Sequence, residues 1–323
     1  MYVHWIHDLS QSNDPLVGGK CANLGRLSRL GVPVPKGFCV DLYGYRDFLL
    51  TTDIGKAVDR FLREIGSGNL QQLYSKCFEL QDSFRGAEIP CSVADSVSEA
   101  YYELIGHMGS TSAVAVRSSA TAEDMLTASF AGQYDSYLGV RSEADLLESI
   151  VKCWASLWNP QAVQYRRLSG IDHSTVEMSV VVQDLVKFAY SGVLFTGNPV
   201  SGDLSEAVIN STWGLAEGLV TGIVVPDTFV VDKVSGEVKT RNISRKETFI
   251  ELAEETGTQE SPVPFIDQQK PSLTDTQIKE LLELVAMIES HYRYPLDIEW
   301  GHDGKQFFIV QTRPITGLAA SNS

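Results

Sequence analysis

The chain has 323 residues, enough for about two domains at the usual ~150 residues each, and its 43% hydrophobic and 21% charged residues are a globular composition. With 26 Lys and Arg against 41 Asp and Glu, the net charge is −15, so neither nucleic acid nor an anionic membrane surface is expected as a partner. No apolar run approaches the ~18 residues of a membrane span, and the first residues do not resemble a signal peptide.

The cysteines and histidines give no sign of a metal site or a hydrolase triad. The five cysteines are odd in number, widely spaced and without a C-x-x-C motif. We therefore expect a cytoplasmic protein with unpaired cysteines, because this pattern fits a reducing compartment better than a disulfide framework or a zinc site. None of the six histidines lies in an H-x-x-x-H, G-x-S-x-G or Cys/His context.

The first half of the chain is predicted to be mostly helical. Gly18-Gly19 begins a helix with leucines at every third position, and a short strand follows over residues 38–40. Residues 41–110 look mainly helical. The apolar run 113–116 indicates a buried strand that ends at Arg117.

The second half contributes most of the predicted strands. Apolar runs over residues 180–183, 192–195 and 207–210 indicate three of them. Residues 241–273 are polar and contain prolines, so we expect a surface excursion. A capping-box pattern at residues 274–277 then begins an amphipathic helix. Because helices and strands mix without strict alternation, the fold class predicted is α+β, or mixed α/β, in two lobes.

The end of the chain indicates a hairpin with candidate metal ligands. His302-Asp303-Gly304 suits a three-residue loop, which would pair Glu299 with Phe307 and turn Glu299, Gln311 and Arg313 to one face. Two oxygen ligands suit Mg²⁺, which takes its other ligands from water and substrate phosphates. The alternative is that Glu299 and Gln311 are ordinary exposed residues of a hairpin.

Gly18-Gly19-Lys20 is a candidate anion site at the start of a helix. The first N–H groups of a helix lack partners within it, and the helix dipole adds partial positive charge. A lysine beside them would favour phosphate. The spacing is not that of a Walker A motif, and the alternative is a loop with a solvated lysine.

Two further stretches could contact a nucleotide. Arg117, followed by three hydroxyl residues, offers a fork of donors suited to phosphate, unless it pairs with Glu123 or Asp124. The small, polar stretch 129–133 could close its backbone over a polyphosphate. Residues 183–185 end a strand and could form a hinge whose backbone binds an adenine edge.

Together these stretches resemble the N-terminal ATP-binding domain of the phosphoenolpyruvate synthase and pyruvate phosphate dikinase family, which rifampicin phosphotransferase shares. The match extends from residue 18 to residue 316, nearly the whole chain. The segments that carry it are GGKCANLGRLSRLGVPVPKGFCV, AVRSSATAEDMLTASFAGQYDSYLGV, VVVQDLVKFAYSGVLFTGNPVSG, INSTWGLAEGLVTGIVVPDTFVVD and LDIEWGHDGKQFFIVQTRPIT.

The resemblance implies an ATP-grasp fold with ATP held between two lobes. The implied lobes are residues 1–186, with a helical insertion, and residues 187–316, followed by a tail of residues 317–323. Cys21 stands where the family usually has a small residue, which would place a thiol near the triphosphate. The implied ligands of ATP and its Mg²⁺ are Lys20, Arg117 and Arg313 at the phosphates, as the catalytic groups; Gly132 in the loop over them; Ser136 as a hydroxyl; Gln183 and Leu185 at the adenine hinge; Glu217 at the ribose; and Glu299 and Gln311 at the metal.

The resemblance also implies that a second domain or chain takes part. Enzymes of the family carry a swivelling domain with a phosphorylatable histidine in a Gly-x-Thr-Ser-His-like motif, and no histidine here has that context. We therefore expect the phosphoryl-donating domain or subunit of a dikinase-type phosphotransferase, passing phosphate from Mg-ATP to a histidine of a partner, as in the split enzyme phenylphosphate synthase. The alternatives are a stand-alone small-molecule kinase and a non-catalytic ATP-sensing subunit.

Overall fold

The computed structural model has the mixed α+β fold that the sequence predicts. Every pairing between neighbouring strands in the described part of the chain is antiparallel. None of the helices in that part is long and apolar enough to cross a membrane. The structure describes residues 2–66, 69–106, 113–121 and 132–315, and the backbone of residues 124–125 and 128–129.

The chain divides into two compact units. The first contains the chain up to Gly25 together with Lys36–Leu185. The second contains Arg26–Pro35 together with the chain from Val186 onward. The lobe boundary expected after residue 186 lies one residue from this division, but the segment 26–35 groups with the second unit instead of the first.

A five-stranded sheet in the order β1-β2-β7-β3-β6 forms the centre of the first unit. A two-residue pair, β4 and β5, stands apart from it. The elements up to Leu185 are, in chain order, β1 (Val3–Trp5), α1 (Gly19–Arg29), β2 (Gly37–Val40), α2 (Leu42–Thr51), α3 (Asp53–Glu64), α4 (Leu70–Phe84), α5 (Cys91–Gly106), β3 (Val114–Ala120), β4 (Asp124–Met125), β5 (Ala128–Ser129), β6 (Ser136–Val140), α6 (Glu143–Ser156), α7 (Pro160–Leu168) and β7 (Met178–Asp184).

Helices α2–α7 cover one face of this sheet. Alternate strand residues, such as Val116 and Val182, share one hydrophobic core with helix residues such as Phe48 and Trp154. Because successive side chains of a strand point to opposite faces, the residues between them, Arg117 among them, lie on the other face. The packing of the helices therefore decides which side chains are left on the second face.

Most predicted elements of this unit are confirmed, with one change at β3. Residues 41–110 form α2–α5 over their described part, and the strands predicted at 38–40 and 180–183 are β2 and β7. The strand expected to end at Arg117 continues to Ala120, so Arg117 lies in mid-strand. The serines after Arg117 looked like a loop, but they extend the strand because their backbone pairs with β7.

The expectation that all cysteines are unpaired is wrong. Cys21, in the first turn of α1, forms a disulfide with Cys39 of β2, and both residues are fully buried. Cys77, Cys91 and Cys153 form no disulfide within the described part of the chain. Spacing along the chain could not show this pairing, because packing of α1 against the sheet brings the two residues together. Cys21 therefore does not present a thiol.

The second unit contains a six-stranded sheet in the order β11-β10-β9-β8-β14-β15 and a separate two-stranded sheet, β12-β13. Its elements are β8 (Tyr190–Phe195), β9 (Glu206–Trp213), α8 (Glu217–Val220), β10 (Asp227–Asp232), β11 (Val238–Asn242), β12 (Thr248–Leu252), β13 (Thr258–Pro262), α9 (Asp275–Tyr292), β14 (Leu296–His302) and β15 (Phe307–Pro314).

Helix α9 covers one face of the six-stranded sheet. The helix begins at the predicted capping box, in which Thr274 and Gln277 each accept a hydrogen bond from the other's backbone. Its apolar stripe packs in one core with sheet residues such as Ile298 and Trp300. The intervening residues of β14, including Glu299, lie on the opposite face of the sheet.

The polar stretch 241–273 is more ordered than a surface excursion. It contains the hairpin of β12 and β13, whose five residue pairs are in continuous register. Lys246, just before β12, is almost completely buried and forms an ion pair with Asp227 at 2.6 Å. The polar composition of this stretch did not indicate the hairpin or the buried lysine. A buried ion pair is present where a core segment usually has a hydrophobic run.

The Asp227 carboxylate fastens both ends of this stretch to β10. Its Oδ1 accepts from Lys246 Nζ at 2.6 Å and from Ser244 N at 2.9 Å. Its Oδ2 accepts from Ser272 N at 2.7 Å and Ser272 Oγ at 2.8 Å. Both charges are removed from water, so removing one partner would leave the other buried without compensation.

Replacement of Lys246 should therefore destabilise the protein strongly. We expect Lys246→Met to lower the free energy of unfolding by ~3–5 kcal/mol, the usual result of breaking a buried ion pair. Lys270→Met is the matched control, because Lys270 pairs with Asp267 at the exposed surface of the same stretch. Urea unfolding of both variants measures the difference, and an equal, small effect of the two would contradict this role of the pair.

Candidate functional site

The residues that the sequence selects occur in both units. The first unit holds Lys20, Arg117, Gly132, Ser136, Gln183 and Leu185, and the second holds Glu217, Glu299, Gln311 and Arg313. Each group is described within its own unit.

Arg117 and Ser136 lie directly opposite each other on the sheet face away from α2–α7. Arg117 pairs with Ser136 of β6 on one side and with Val181 of β7 on the other. Gln183, two residues beyond Val181, is on the same face. A guanidinium, a hydroxyl and an amide therefore share one surface, and all three can hydrogen-bond an oxygen-rich ligand.

Lys20 is a buried side chain at the start of α1. Its Nζ donates to the backbone oxygen of Ser118 at 2.7 Å, and only 5% of the residue is exposed. The expected free N–H groups are partly engaged: Gly18 N donates to Ser179 Oγ at 2.8 Å and Cys21 N to Ser119 Oγ at 3.2 Å. Two N–H groups that the sequence predicted to bind an anion thus donate to serines of the sheet. The Lys20 ammonium is then the principal positive group at the start of α1.

Gly18 fits this arrangement because α1 approaches the sheet very closely. A β-carbon at Gly18 would lie 2.0 Å from the backbone oxygen of Ser119. Gly132, in contrast, is exposed with a φ of +70°, and a β-carbon there would meet no described residue within 4 Å. The side chains of Glu123 and Asp124, proposed as alternative partners of Arg117, and residues 130–131 of the predicted phosphate loop lie outside the described residues.

Two backbone N–H groups at the end of β7, where an adenine hinge is expected, already donate hydrogen bonds within the first unit. Asp184 N donates to Lys36 O at 2.8 Å and Leu185 N to Ala113 O at 2.9 Å. Both N–H groups therefore serve the sheet instead of an adenine edge. Gln183 is 2% exposed and lies between Gly37 and Ala115 in the neighbouring strands. Burial raises the pKa of Asp184, against the opposing effect of Lys36.

Glu299 and Gln311 face each other across the hairpin of β14 and β15, although the predicted register is wrong. Glu299 pairs with Gln311, not with Phe307, which pairs with His302. The register shifts after Glu299, which leaves Val310 as a bulge, and the loop is Asp303–Gln306. The shared face expected for the two oxygen-bearing side chains is observed, because residues directly opposite in a sheet point the same way.

Asp297 belongs to the same face and was missed by the sequence reasoning. It lies two residues before Glu299 and opposite Arg313, whose Nε donates to its Oδ2 at 2.8 Å. Its other oxygen, Oδ1, is buried and has no hydrogen-bond partner among the described residues. Burial raises the pKa of Asp297, while the ion pair with Arg313 opposes that rise. Side chains two residues apart in a strand point to the same face, so the sequence could have placed Asp297 beside Glu299.

The donors on this face are three oxygen-bearing groups: two carboxylates, from Asp297 and Glu299, and the amide of Gln311. Oxygen donors of this kind suit Mg²⁺. In the described part of the chain, no group of three or more His, Cys, Asp or Glu residues is arranged to hold a metal ion.

Glu217 is the first residue of α8, and β12 hydrogen-bonds to the loop that precedes it. Leu215 N donates to Ile250 O at 2.8 Å, and Gly214 has a φ of +69° with no room for a β-carbon beside Ile250. The Oε2 atom of Glu217 is buried, and no residue in the described part of the chain hydrogen-bonds to it. The stretch predicted to be a surface excursion therefore supports the loop that carries a candidate ligand.

Several known proteins are similar to nearly the whole of this chain. The phosphoenolpyruvate synthase of Pyrococcus furiosus is 38% identical over 98% of this chain and 44% of its own length. A rifampicin phosphotransferase of Streptomyces sp. is 42% identical over 97% of this chain and 36% of its own length. A probable phosphoenolpyruvate synthase of Archaeoglobus fulgidus is 40% identical over 98% of this chain and 42% of its own length. The chain thus spans less than half the length of these relatives.

A family model describes the same region. The model of the pyruvate phosphate dikinase AMP/ATP-binding domain matches residues 14–323, which include every candidate residue in both units. Taken with the relatives, this match shows that the chain belongs to the family of pyruvate phosphate dikinase AMP/ATP-binding domains.

Proposed function

We propose that this chain binds Mg-ATP and donates a phosphoryl group to a histidine on a second domain or chain, as the ATP-binding part of a dikinase-type phosphotransferase. The observation that carries the proposal is the position of Arg117 opposite Ser136, on the sheet face away from α2–α7, in a chain whose family binds AMP or ATP. The partner would then phosphorylate the final acceptor, a compound like pyruvate, a phenol or rifampicin.

The chemistry asks the chain mainly for positive charge. A P–O bond of ATP breaks, its electron pair stays on the leaving phosphate oxygen, and a P–N bond forms on the imidazole. Lys20, Arg117 and Arg313 stabilise the negative charge that develops on the transferring and leaving oxygens. Gly132 brings backbone N–H groups close to the phosphates, and Ser136 adds a hydroxyl. Gln183 and Leu185 contact the adenine, Leu185 through groups other than its N–H, and Glu217 contacts the ribose.

The oxygen donors of the second unit fit Mg²⁺. Glu299 and Gln311 hold the ion, which when bound neutralises charge on the phosphates. Asp297 Oδ1 supports this site, because a buried carboxylate oxygen without a hydrogen-bond partner is costly unless another group satisfies it. Arg313 then has two roles, holding Asp297 through its Nε and contacting phosphate.

A cavity in the first unit bears on the alternative of a stand-alone kinase. This cavity of about 940 Å³ is lined by Phe84, Tyr137, Leu147 and Val151, among others. Tyr137 follows Ser136 in β6 and therefore points to the opposite, helix-covered face. The sheet thus separates the cavity from Arg117. An acceptor in this cavity could not reach a phosphate at Arg117, so this cavity does not favour a stand-alone kinase.

Removal of the metal ligands should weaken nucleotide binding. We expect the double variant Glu299→Ala, Gln311→Ala to raise the Kd for Mg-ATP at least about tenfold, a loss of ~1.4 kcal/mol, with its circular dichroism unchanged. The control is Gln259→Ala, Glu260→Ala, which removes the same two residue types from exposed positions of β13. Unchanged Mg-ATP affinity in a folded double variant, measured by calorimetry, would remove the metal assignment.

Arg117→Ala should separate phosphate binding from nucleoside binding. Because the guanidinium contacts phosphates, we expect the Kd for Mg-ATP to rise at least about tenfold and that for adenosine to change less than about twofold. Arg85→Ala, at an exposed position, is the control. An equal loss of adenosine affinity would mean that Arg117 acts through the structure of the sheet.

The chain by itself should not phosphorylate an acceptor. With ATP, Mg²⁺ and a panel of pyruvate, phenol and rifampicin, we expect at most slow ATP hydrolysis, because no histidine here has the context of a phosphocarrier. The measurement is transfer of label from β- and γ-labelled ATP, followed by mass spectrometry of the products. Robust phosphorylation of any panel member would favour a stand-alone kinase.

A further inference from the structure

Residues Gln133–Asp135 connect two candidate ATP ligands. Gly132 precedes this segment and Ser136, the first residue of β6, follows it. Both flanking residues are exposed, whereas Tyr134 between them is 8% exposed. The positions of Gly132 and Ser136 therefore depend on what holds the three residues between them.

Asn159 holds the segment from the start of α7. Its Nδ2 donates to Gln133 O at 2.9 Å and to Asp135 Oδ1 at 3.1 Å. Its Oδ1 accepts from Gln81 Nε2 of α4 at 2.5 Å. An asparagine at this position usually caps its own helix, but this side chain makes no capping hydrogen bond. The side chain is thus directed at the segment and not at the helix.

Arg166 holds the same segment from within the core. It is fully buried and donates to Tyr134 Oη at 3.3 Å, to Leu157 O at 2.7 Å and, through Nε, to His173 Nδ1 at 3.1 Å. Burial and the neighbouring Arg166 lower the pKa of His173 to about 4, so its ring is neutral near pH 7 and can accept this bond. The rigid guanidinium fork therefore joins three segments in one geometry.

The free-energy cost of burying the Arg166 guanidinium is too large for a side chain that only fills space. Among the residues that the structure describes, its hydrogen-bond partners are neutral: a phenol, a carbonyl and an imidazole. Burying a cation without a carboxylate carries a large desolvation penalty. An apolar side chain would fill the space without that penalty, but it could not fix the position of Tyr134.

The backbone of the segment is also tied to β3. Asp135 O accepts from Ser118 N at 3.4 Å, next to Arg117 in the strand. Ser136 then lies opposite Arg117. A displacement of Gln133–Asp135 would therefore move Ser136 relative to Arg117, which are the two groups that the proposed function places at the phosphates.

We propose that Asn159 and Arg166 are positioning residues that fix Gln133–Asp135 and thereby hold Gly132 and Ser136 in place for the ATP phosphates. Neither residue contacts the nucleotide. The inference rests on the proposed function, because it assigns these residues to the same ATP site.

Two variants each disturb one of the two holding residues' contacts and leave the guanidinium in place. Asn159→Ala removes the hydrogen bonds to Gln133, Asp135 and Gln81, and Tyr134→Phe removes the hydroxyl that Arg166 binds. We expect each to raise the Kd for Mg-ATP at least about fivefold, an effect of the size of one hydrogen bond, with the Kd for adenosine unchanged. Calorimetry with both ligands, and the thermal midpoint of each variant, are the measurements.

Tyr74→Phe is the matched control. Tyr74 Oη of α4 donates to Gln164 Oε1 of α7 at 2.8 Å, so this variant also loses a tyrosine hydrogen bond to the same helix, without touching the segment. We expect a similar change in thermal midpoint and no change in the Kd for Mg-ATP. A role in stability alone would instead give the same result for Tyr74→Phe and Tyr134→Phe.

The outcomes separate this inference from the proposed function. If wild-type protein binds Mg-ATP and Arg117→Ala weakens that binding, the proposed function stands. Unchanged Mg-ATP affinity in both Asn159→Ala and Tyr134→Phe would then overturn the positioning role alone. An equal loss of adenosine affinity would overturn it too, because a phosphate-positioning device should not act on the nucleoside. If wild-type protein does not bind Mg-ATP, the proposed function itself fails.

Discussion

Each unit is built around an antiparallel sheet with one face buried under helices, and this constraint decides where the chemistry can be. Successive side chains of a strand point to opposite faces, so once Val116 packs into the helical core, Arg117 must lie on the other face. The same holds in the second unit, where Ile298 lies under α9 and Glu299 does not. The hydrophobic residues thereby select the polar residues that are left for ligand binding.

Register across the strands then brings the selected residues together. Arg117 meets Ser136, and Glu299 meets Gln311, only because particular residues of neighbouring strands are opposite each other. A slip of one residue would send either partner to the helix-covered face. The bulge in β15 is therefore part of the site's construction, since it returns Gln311 to the face of Glu299 after the core residue Ile309.

Buried charges reinforce this arrangement at positions where an apolar residue could not. The Asp227 carboxylate fastens both ends of the stretch that contains β12, and β12 in turn supports the loop before Glu217. Arg166 likewise joins Tyr134 to two other segments of the first unit. Burying the charges of each network carries a desolvation cost. Directional hydrogen bonds nevertheless fix the position of a backbone segment more narrowly than apolar contacts do. Both networks lie beside candidate ATP ligands.

The sequence by itself determined the elements with strong local patterns and the residues with recognisable chemistry. The capping box and apolar stripe of α9, the helix that begins at Gly19, and the family to which the chain belongs all follow from local residue patterns, because caps, periodicity and motifs are short-range properties. Tertiary structure alone decided which residues meet across the chain. It joined Cys21 to Cys39, extended β3 past Arg117, set the register that pairs Glu299 with Gln311, and buried Lys246 beside Asp227. These pairings depend on packing between segments distant in sequence, and no local pattern records which segments will pack together.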